Sequence, residues 1–198
     1  MGFKVKDHYY NKAKKENYLA RSIYKLEEID QKYKILTKGD KVFDLGYHPG
    51  SWTQYTAKKV GDKGRVIGID IKEVNQKLNT ISNVTVYEKD VNDVKNLEEL
   101  GMQDKFDALI SDMAPNTTGI KSVDQTRSLQ LVEMVFYHLP NFLKEGGNFV
   151  IKVFDSNDAQ QYLKQQRHMF EKFHFLKPKS TRSVSKEFFV IGIGFKNE

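Results

Sequence analysis

The sequence predicts an α/β fold built on a mostly parallel seven-stranded sheet with an antiparallel hairpin at one edge. Three observations carry this reading. Short, near-continuous apolar runs alternate with helical patterns, as strands covered on both faces do. The first four runs close on or just before an acidic residue, namely Asp44, Asp70, Asp90 and Asp112. The last two runs follow one another without a full helix between them, which suits a hairpin rather than a crossover.

The elements follow in order. Residues 1–17 read as a basic, aromatic extension and 18–198 as the body of a single domain. Leu19, Ile23, Leu26 and Ile29 recur at helical spacing, so 18–32 is an amphipathic helix. Lys38-Gly39-Asp40 breaks that pattern before the first strand, 41–45. A helix over 51–59 stops at Gly61 and Gly64, and strands follow at 65–70 and 84–88. A helix is expected over 92–100 and a fourth strand over 106–112. A long helix over 124–143, closed by Gly146-Gly147, precedes the fifth strand at 148–154. A helix over 158–170 leads to late strands at 172–177 and 187–195.

Composition narrows the function. The chain has 198 residues, enough for one well-filled domain. Its formal charge of +6 suits an anionic partner such as RNA. With no cysteine, disulfides, thiolate zinc sites and a cysteine nucleophile are all excluded. His8, His48, His138, His168 and His174 show no ligand spacing, so no metal is expected. His138 and His168 lie in helical patterns and read as surface or satisfied core residues. No apolar run is long enough to span a membrane, and the N-terminus lacks the apolar stretch of a secretory signal. The expectation is an intracellular monomer, cytoplasmic or, given a leader, organellar.

The chemistry concentrates at strand ends. Asp44-Leu45-Gly46-Tyr47-His48-Pro49-Gly50-Ser51-Trp52 joins a buried strand to a helix. Its D-x-G-x-x-x-G spacing differs from the G-x-G-x-x-G of dinucleotide enzymes and matches S-adenosylmethionine-binding folds. Carboxylates from Asp44, Asp70, Asp90 and Asp112, gathered in one crevice, would complement the amine and hydroxyl donors of such a ligand. Lys152 stands inside the apolar run Val150-Ile151-Lys152-Val153-Phe154. A buried ammonium is costly unless it is paired or neutral, which marks this lysine for function or for a salt bridge.

Taken together, these segments resemble the FtsJ-like RNA 2′-O-methyltransferases along nearly the whole chain. The resemblance rests on Ala20-Arg21-Ser22-Ile23-Tyr24-Lys25-Leu26, Asp44-Leu45-Gly46 with Pro49-Gly50-Ser51-Trp52, and Ser111-Asp112-Met113-Ala114-Pro115-Asn116. Ile151-Lys152-Val153-Phe154 and Ser183-Val184-Ser185-Lys186-Glu187 complete it. It implies a Rossmann-like class I methyltransferase fold and a Lys-Asp-Lys-Glu tetrad at Lys25, Asp112, Lys152 and Glu187. It also implies S-adenosylmethionine contacts at Gly50, Trp52, Asp70, Asp90 and Asp112, beside the Asp44 and Gly46 turn. Tyr47-His48 stand where the family has small residues, and Ser51 replaces a common glycine. Ser156-Asn157-Asp158 stand where a glycine-containing stretch is expected.

RNA contacts are expected from Lys4, Lys6, Lys12, Lys14 and Lys15, interleaved with Tyr9, Tyr10 and Tyr18, and from Arg21. Lys177, Lys179, Arg182 and Lys186 form a second basic patch. The preferred substrate is a uridine of large-subunit ribosomal RNA, free or within an assembled particle. Other readings stay open: a methyltransferase of the transfer-RNA anticodon loop, a non-catalytic RNA-binding module on the same fold, and a nicotinamide oxidoreductase.

Overall fold

Seven runs rich in Val, Ile and Phe form one sheet in the computed structural model, which describes residues 8–197. The strands are β1 (Lys41–Leu45), β2 (Arg65–Asp70), β3 (Val84–Glu88), β4 (Phe106–Ser111), β5 (Leu143–Phe154), β6 (Phe170–Leu176) and β7 (Glu187–Phe195). Their order is β3-β2-β1-β4-β5-β7-β6. The first five are parallel, and β7 runs antiparallel to both β5 and β6. Strand order reverses between β1 and β4, so the loops leaving them diverge and open a crevice at their carboxyl ends.

Among the described residues, five α-helices flank the sheet: α1 (His8–Lys15), α2 (Ile23–Tyr33), α3 (Ser51–Val60), α4 (Lys121–Phe142) and α5 (Asn157–Gln166). Alternate strand residues divide between the two faces. Phe43, Leu109 and Phe149 pack with Leu139 and Phe142 of α4. Val42, Ile110 and Val150 pack with Ile23 and Leu26 of α2 and Trp52 of α3. Asp30 clamps α2 onto α3. It is 1% exposed and accepts from Leu36 N–H at 3.1 Å and the Tyr55 hydroxyl at 2.9 Å, with Lys59 Nζ at 3.0 Å.

Several boundaries differ from the sequence reading, each for a local reason. The helix expected over 92–100 is absent; the segment holds two 3₁₀ turns, Val91–Asp93 and Glu98–Leu100. Asp90 and Asn96 accept backbone N–H groups of Asn92 and Glu99, and such side-chain bonds compete with helix propagation. α2 begins at Ile23 rather than residue 18 because α3 captures the preceding turn. Leu19 N–H donates to Gln54 Oε1, and Trp52 Nε1–H donates to the Ser22 carbonyl, each at 2.9 Å. Gly146-Gly147 do not separate α4 from β5 as a terminator. β5 starts directly at Leu143, and its pairing with β4 jumps from Phe106↔Leu143 to Ala108↔Asn148, leaving the glycines in a bulge. α5 stops at Gln166, and β6 begins earlier than expected, at Phe170, whose ring stacks on Phe149.

Within the basic extension, residues 8–15 form a helix that packs on the body. Ala13 is buried, the Tyr24 hydroxyl donates to Glu16 Oε2 at 2.8 Å, and Lys12 Nζ lies over the Tyr24 ring. Lys4 and Lys6 lie outside the described residues.

Replacing Asp30 with Ala leaves the buried Tyr55 hydroxyl and Leu36 N–H without their acceptor. The expected loss is about 3 kcal/mol of unfolding free energy, measured by urea denaturation.

Candidate active site

The sheet brings four distant segments to one end. β7 is antiparallel to β5, so its first residue, Glu187, pairs with Phe154 at the carboxyl end of β5, two positions beyond Lys152. Asp112 follows β4, and Lys25 lies on α2. Lys152 Nζ donates to the Asp112 carbonyl at 2.5 Å and stands 3.1 Å from Asp112 Oδ1. Lys25 Nζ forms an ion pair with Glu187 Oε1. All four side chains are shielded, at 13% exposure for Lys25, 11% for Glu187, 8% for Lys152 and 20% for Asp112. Burial pushes the Glu187 carboxyl up, but the Lys25 charge and hydrogen bond, the Lys152 charge and the Ser185 hydroxyl outweigh it and hold the group below its usual value. The four residues form one coupled set.

Beside the set lies a cavity of about 460 Å³ at the β1/β4 crevice. Gly46, His48, Asp70, Asp90, Asp112 and Met113 are among the residues that line it. Both Asp70 oxygens accept backbone hydrogen bonds, Oδ2 from His48 at 3.1 Å and Oδ1 from Lys72 at 2.9 Å, which fixes the carboxylate at the end of β2. Asp112 Oδ1 is buried and accepts no hydrogen bond among the described residues, because Lys152 aims its N–H at the neighbouring carbonyl. Ser111 steadies the loop after β4. Its hydroxyl donates to the Leu45 carbonyl at 2.9 Å and accepts from Met113 N–H at 3.3 Å. Gly46 has φ +69°, and a Cβ there would lie 1.9 Å from Met113 Cγ, so Met113 lies across the bare backbone.

Three residues expected at the ligand sit behind the cavity wall. Side-chain alternation along β1 turns Asp44 toward α3, away from the crevice. It is 1% exposed and accepts from Thr53 Oγ1 at 2.6 Å. The four strand-end acids therefore do not all face one crevice; Asp70, Asp90 and Asp112 do. Gly50 has φ +115° at the start of α3, and the Leu78 side chain covers its open side. Trp52 is buried, bonded to Ser22 and tilted against Phe189 of β7.

Some features carry no clear sequence signal. Tyr47, a departure from the small residue expected, is buried against Leu78 and Val86, over Gly68, where a Cβ would lie 2.9 Å from its ring. At the far end, His138 of α4 lies 3.0 Å from Asn92 Oδ1, and Asn92 Nδ2 donates to Asp90 Oδ1 at 3.0 Å. Among the expected RNA contacts, Lys14 and Lys15 are exposed and Tyr10 is 59% exposed. Tyr9 and Tyr18 pack against the core and face Arg21 and Lys58. Arg21 also donates to the Ser180 carbonyl at 2.5 Å, which ties the turn ahead of α2 to the 177–186 loop.

The profile of the FtsJ-like methyltransferases matches residues 18–195. The chain belongs to that family. A protein of Bdellovibrio bacteriovorus named ribosomal RNA large subunit methyltransferase E is 45% identical over 99% of this chain and 100% of its own length. Its namesake in Oleidesulfovibrio alaskensis is 47% identical over 98% and 93%. Among solved structures, a protein of Plasmodium falciparum assigned as a ribosomal RNA methyltransferase superposes with a TM-score of 0.78 at 28% identity, covering 90% of this chain and 98% of that one. Aeropyrum pernix fibrillarin with bound S-adenosylmethionine shares the fold at a TM-score of 0.63 and 14% identity, over 87% and 76%.

In this FtsJ-like methyltransferase, burial pushes the Asp44 carboxyl up to about 7 against the Thr53 hydrogen bond, aided by the charges of Asp112 and Asp70. The folded state therefore holds a proton that the unfolded chain releases near its ordinary value of about 3.9. Stability from this group is complete at low pH and is lost as pH rises toward 7. Asp44→Asn removes that slope: the variant should gain stability relative to the parent between pH 4 and 8 in urea titrations. A constant difference across that range would refute the assignment.

Proposed function

We propose that this chain transfers a methyl group from S-adenosylmethionine to a ribose 2′-hydroxyl of RNA, and of large-subunit ribosomal RNA in particular. One observation carries the reading: the paired Lys152–Asp112 and Lys25–Glu187 form one set whose Asp112 lines a cavity of small-molecule size, in a chain of this family. The names of its full-length relatives support the ribosomal substrate over transfer RNA. In this reading the enzyme works as a monomer inside the cell, on RNA alone or within an assembled particle. Among the described residues, no helix is long and apolar enough to cross a membrane.

The cavity fits the methyl donor in kind and size. Its volume falls within the range of small-molecule sites, about 300–1,000 Å³. Asp70 and Asp90 offer acceptors to hydroxyl and amine groups, and Asp112 lines the same cavity. Gly46, Asp70, Asp90 and Asp112 would hold the donor, with Asp44, Gly50 and Trp52 supporting the loop from behind. When bound, S-adenosylmethionine supplies an activated methyl group on a sulfonium.

The chain's own residues then have to align and deprotonate a weakly acidic hydroxyl. Lys152 Nζ would direct the 2′-oxygen and take its proton as the donor's S–CH₃ bond gives way to the C–O bond and the sulfur leaves as a neutral thioether; for this it must carry a lone pair. Asp112 and Glu187 stabilise the ammonium that results, and Lys25 holds Glu187 in place. Alignment by such a preordered set can take about 7 kcal/mol or more off the barrier.

Two variants separate chemistry from binding. Lys152→Ala should abolish transfer of tritiated methyl to ribosomal RNA while leaving S-adenosylmethionine affinity unchanged. Asp70→Ala should weaken that affinity about ten- to a hundred-fold, the effect of losing a charged acceptor worth about 1.5–3 kcal/mol. Near-normal turnover in the first, or unchanged calorimetric affinity in the second, would overturn the corresponding role. A parent enzyme that binds RNA but methylates it neither free nor within ribosomal particles would return the chain to the non-catalytic reading.

A further inference from the structure

The tetrad is a partition as well as a site. Asp112 lines the 460 Å³ cavity, whereas Glu187 lines a second cavity of about 810 Å³ between the starts of α4 and α5 and the 177–186 loop. Its lysines, Lys121, Lys177 and Lys186, face Asp155 and Asp158, while Glu187 is already paired with Lys25. The small positive excess sits on the lysines, and a neutral, polar group inside would meet donors and acceptors in close array. The three lysines are all exposed, so their charges serve the mouth rather than the floor.

The interior is ordered for such a group. Asp155 fixes two amides at once: Gln125 Nε2 donates to its carbonyl at 2.6 Å and Gln160 Nε2 to its Oδ1 at 2.7 Å. Each amide keeps a carbonyl oxygen as an acceptor. Phe188, the neighbour of Glu187, adds an aromatic surface braced by Phe175, 5.7 Å between ring centroids. The tetrad itself is at most one-fifth exposed. A ribose inside a continuous A-form helix carries its flanking phosphates and opposite strand with it, so its 2′-hydroxyl cannot descend to a buried lysine.

We propose that the 810 Å³ cavity receives the target nucleotide splayed out of its strand, with the base among Phe188, Gln125 and Gln160, the ribose at Glu187, and the flanking phosphates at Lys121, Lys177 and Lys186. This deepens, and rests on, the reading of the chain as an RNA 2′-O-methyltransferase. Extrusion of a base costs a few kcal/mol and least in single-stranded RNA, so the favoured substrate is unpaired at the methylated position.

The test fills the cavity without touching the tetrad. Asn157→Trp and Gln160→Trp each place an indole at an exposed lining position. Both should lower kcat/KM for RNA at least ten-fold while thermal stability and S-adenosylmethionine affinity stay at parental values. An RNA fragment annealed to a complement across its methylated nucleotide should likewise react at least ten-fold more slowly than the single strand. Parental kinetics in both tryptophan variants, or equal rates on paired and unpaired RNA, would overturn the proposal. If the unaltered enzyme methylates neither free RNA nor RNA within ribosomal particles, it is the functional reading beneath that fails.

A separate observation concerns the opposite end of the smaller cavity. Asn92 turns its amide nitrogen to Asp90, so the oxygen that faces His138 Nε2 is an acceptor and Nε2 must carry the proton. His138 is 9% exposed and lies outside that cavity's lining. The geometry points to His138 as a positioning residue that holds Asp90 toward the ligand through Asn92. His138→Leu should raise the dissociation constant for S-adenosylmethionine about three- to ten-fold, the cost of about one hydrogen bond, with kcat at saturation unchanged. His138→Gln, which restores a donor near Nε2, should recover the affinity. Equal affinity in His138→Leu, or no recovery in His138→Gln, would reduce the residue to packing.

Discussion

The ion pair of Lys25 and Glu187 joins positions 162 residues apart, and the spacing of the elements that carry them depends on one buried indole. Trp52 stands at the start of α3, with its Nε1–H on the Ser22 carbonyl just ahead of α2 and its ring against Phe189 of β7. Interiors are packed to crystal-like density, so a ring of that volume sets the separation of its neighbours. One turn further along α3, Tyr55 reaches the far end of α2 through Asp30. The helix acts as a ruler: its first turn sets where Lys25 lies relative to the sheet, and its second prevents α2 from swinging. The remaining tetrad members need no such device, because Asp112 and Lys152 lie at the ends of neighbouring strands β4 and β5.

Much of this was legible in the sequence because the strands are apolar and short. Their runs identify all seven, and the anomalous Lys152 within one of them marks the site before any geometry is known. What could not be read has identifiable causes. Asp44 looks like its three companions in sequence, but direction along a strand alternates, and only the structure says on which side of the sheet a given residue falls. The segment 92–100 has helical apolar spacing, yet Asp90 and Asn96 satisfy its first amides locally and divert it into 3₁₀ turns. Helix α1 is too short and polar to declare itself; it exists because Ala13 and Tyr9 find a surface on α2. Tyr47 was an unexplained departure until Gly68 supplied the hollow it fills.

The tetrad is balanced in charge before any ligand arrives. With both lysines protonated, as their ion pairs require, two lysines and two carboxylates neutralise one another, and Lys152 must shed its proton before it can accept another. That arrangement orders the groups in advance, which is how enzymes avoid reorganising dipoles during the reaction. Asp112 Oδ1 accepts no hydrogen bond among the described residues and lies 3.1 Å from the Lys152 ammonium, so charge alone holds it at the boundary where donor and acceptor molecules would meet.

The glycine at the β1 turn belongs to this boundary too. A Cβ at Gly46 would collide with Met113 Cγ, and not with open space or with main chain. The two residues come from loops on either side of the crevice, and position 46 is locked twice: its φ of +69° strains any side chain whatever the space, and Met113 fills the space itself. Shortening Met113 would clear the collision and leave the backbone strain, so a change at 113 cannot release the glycine.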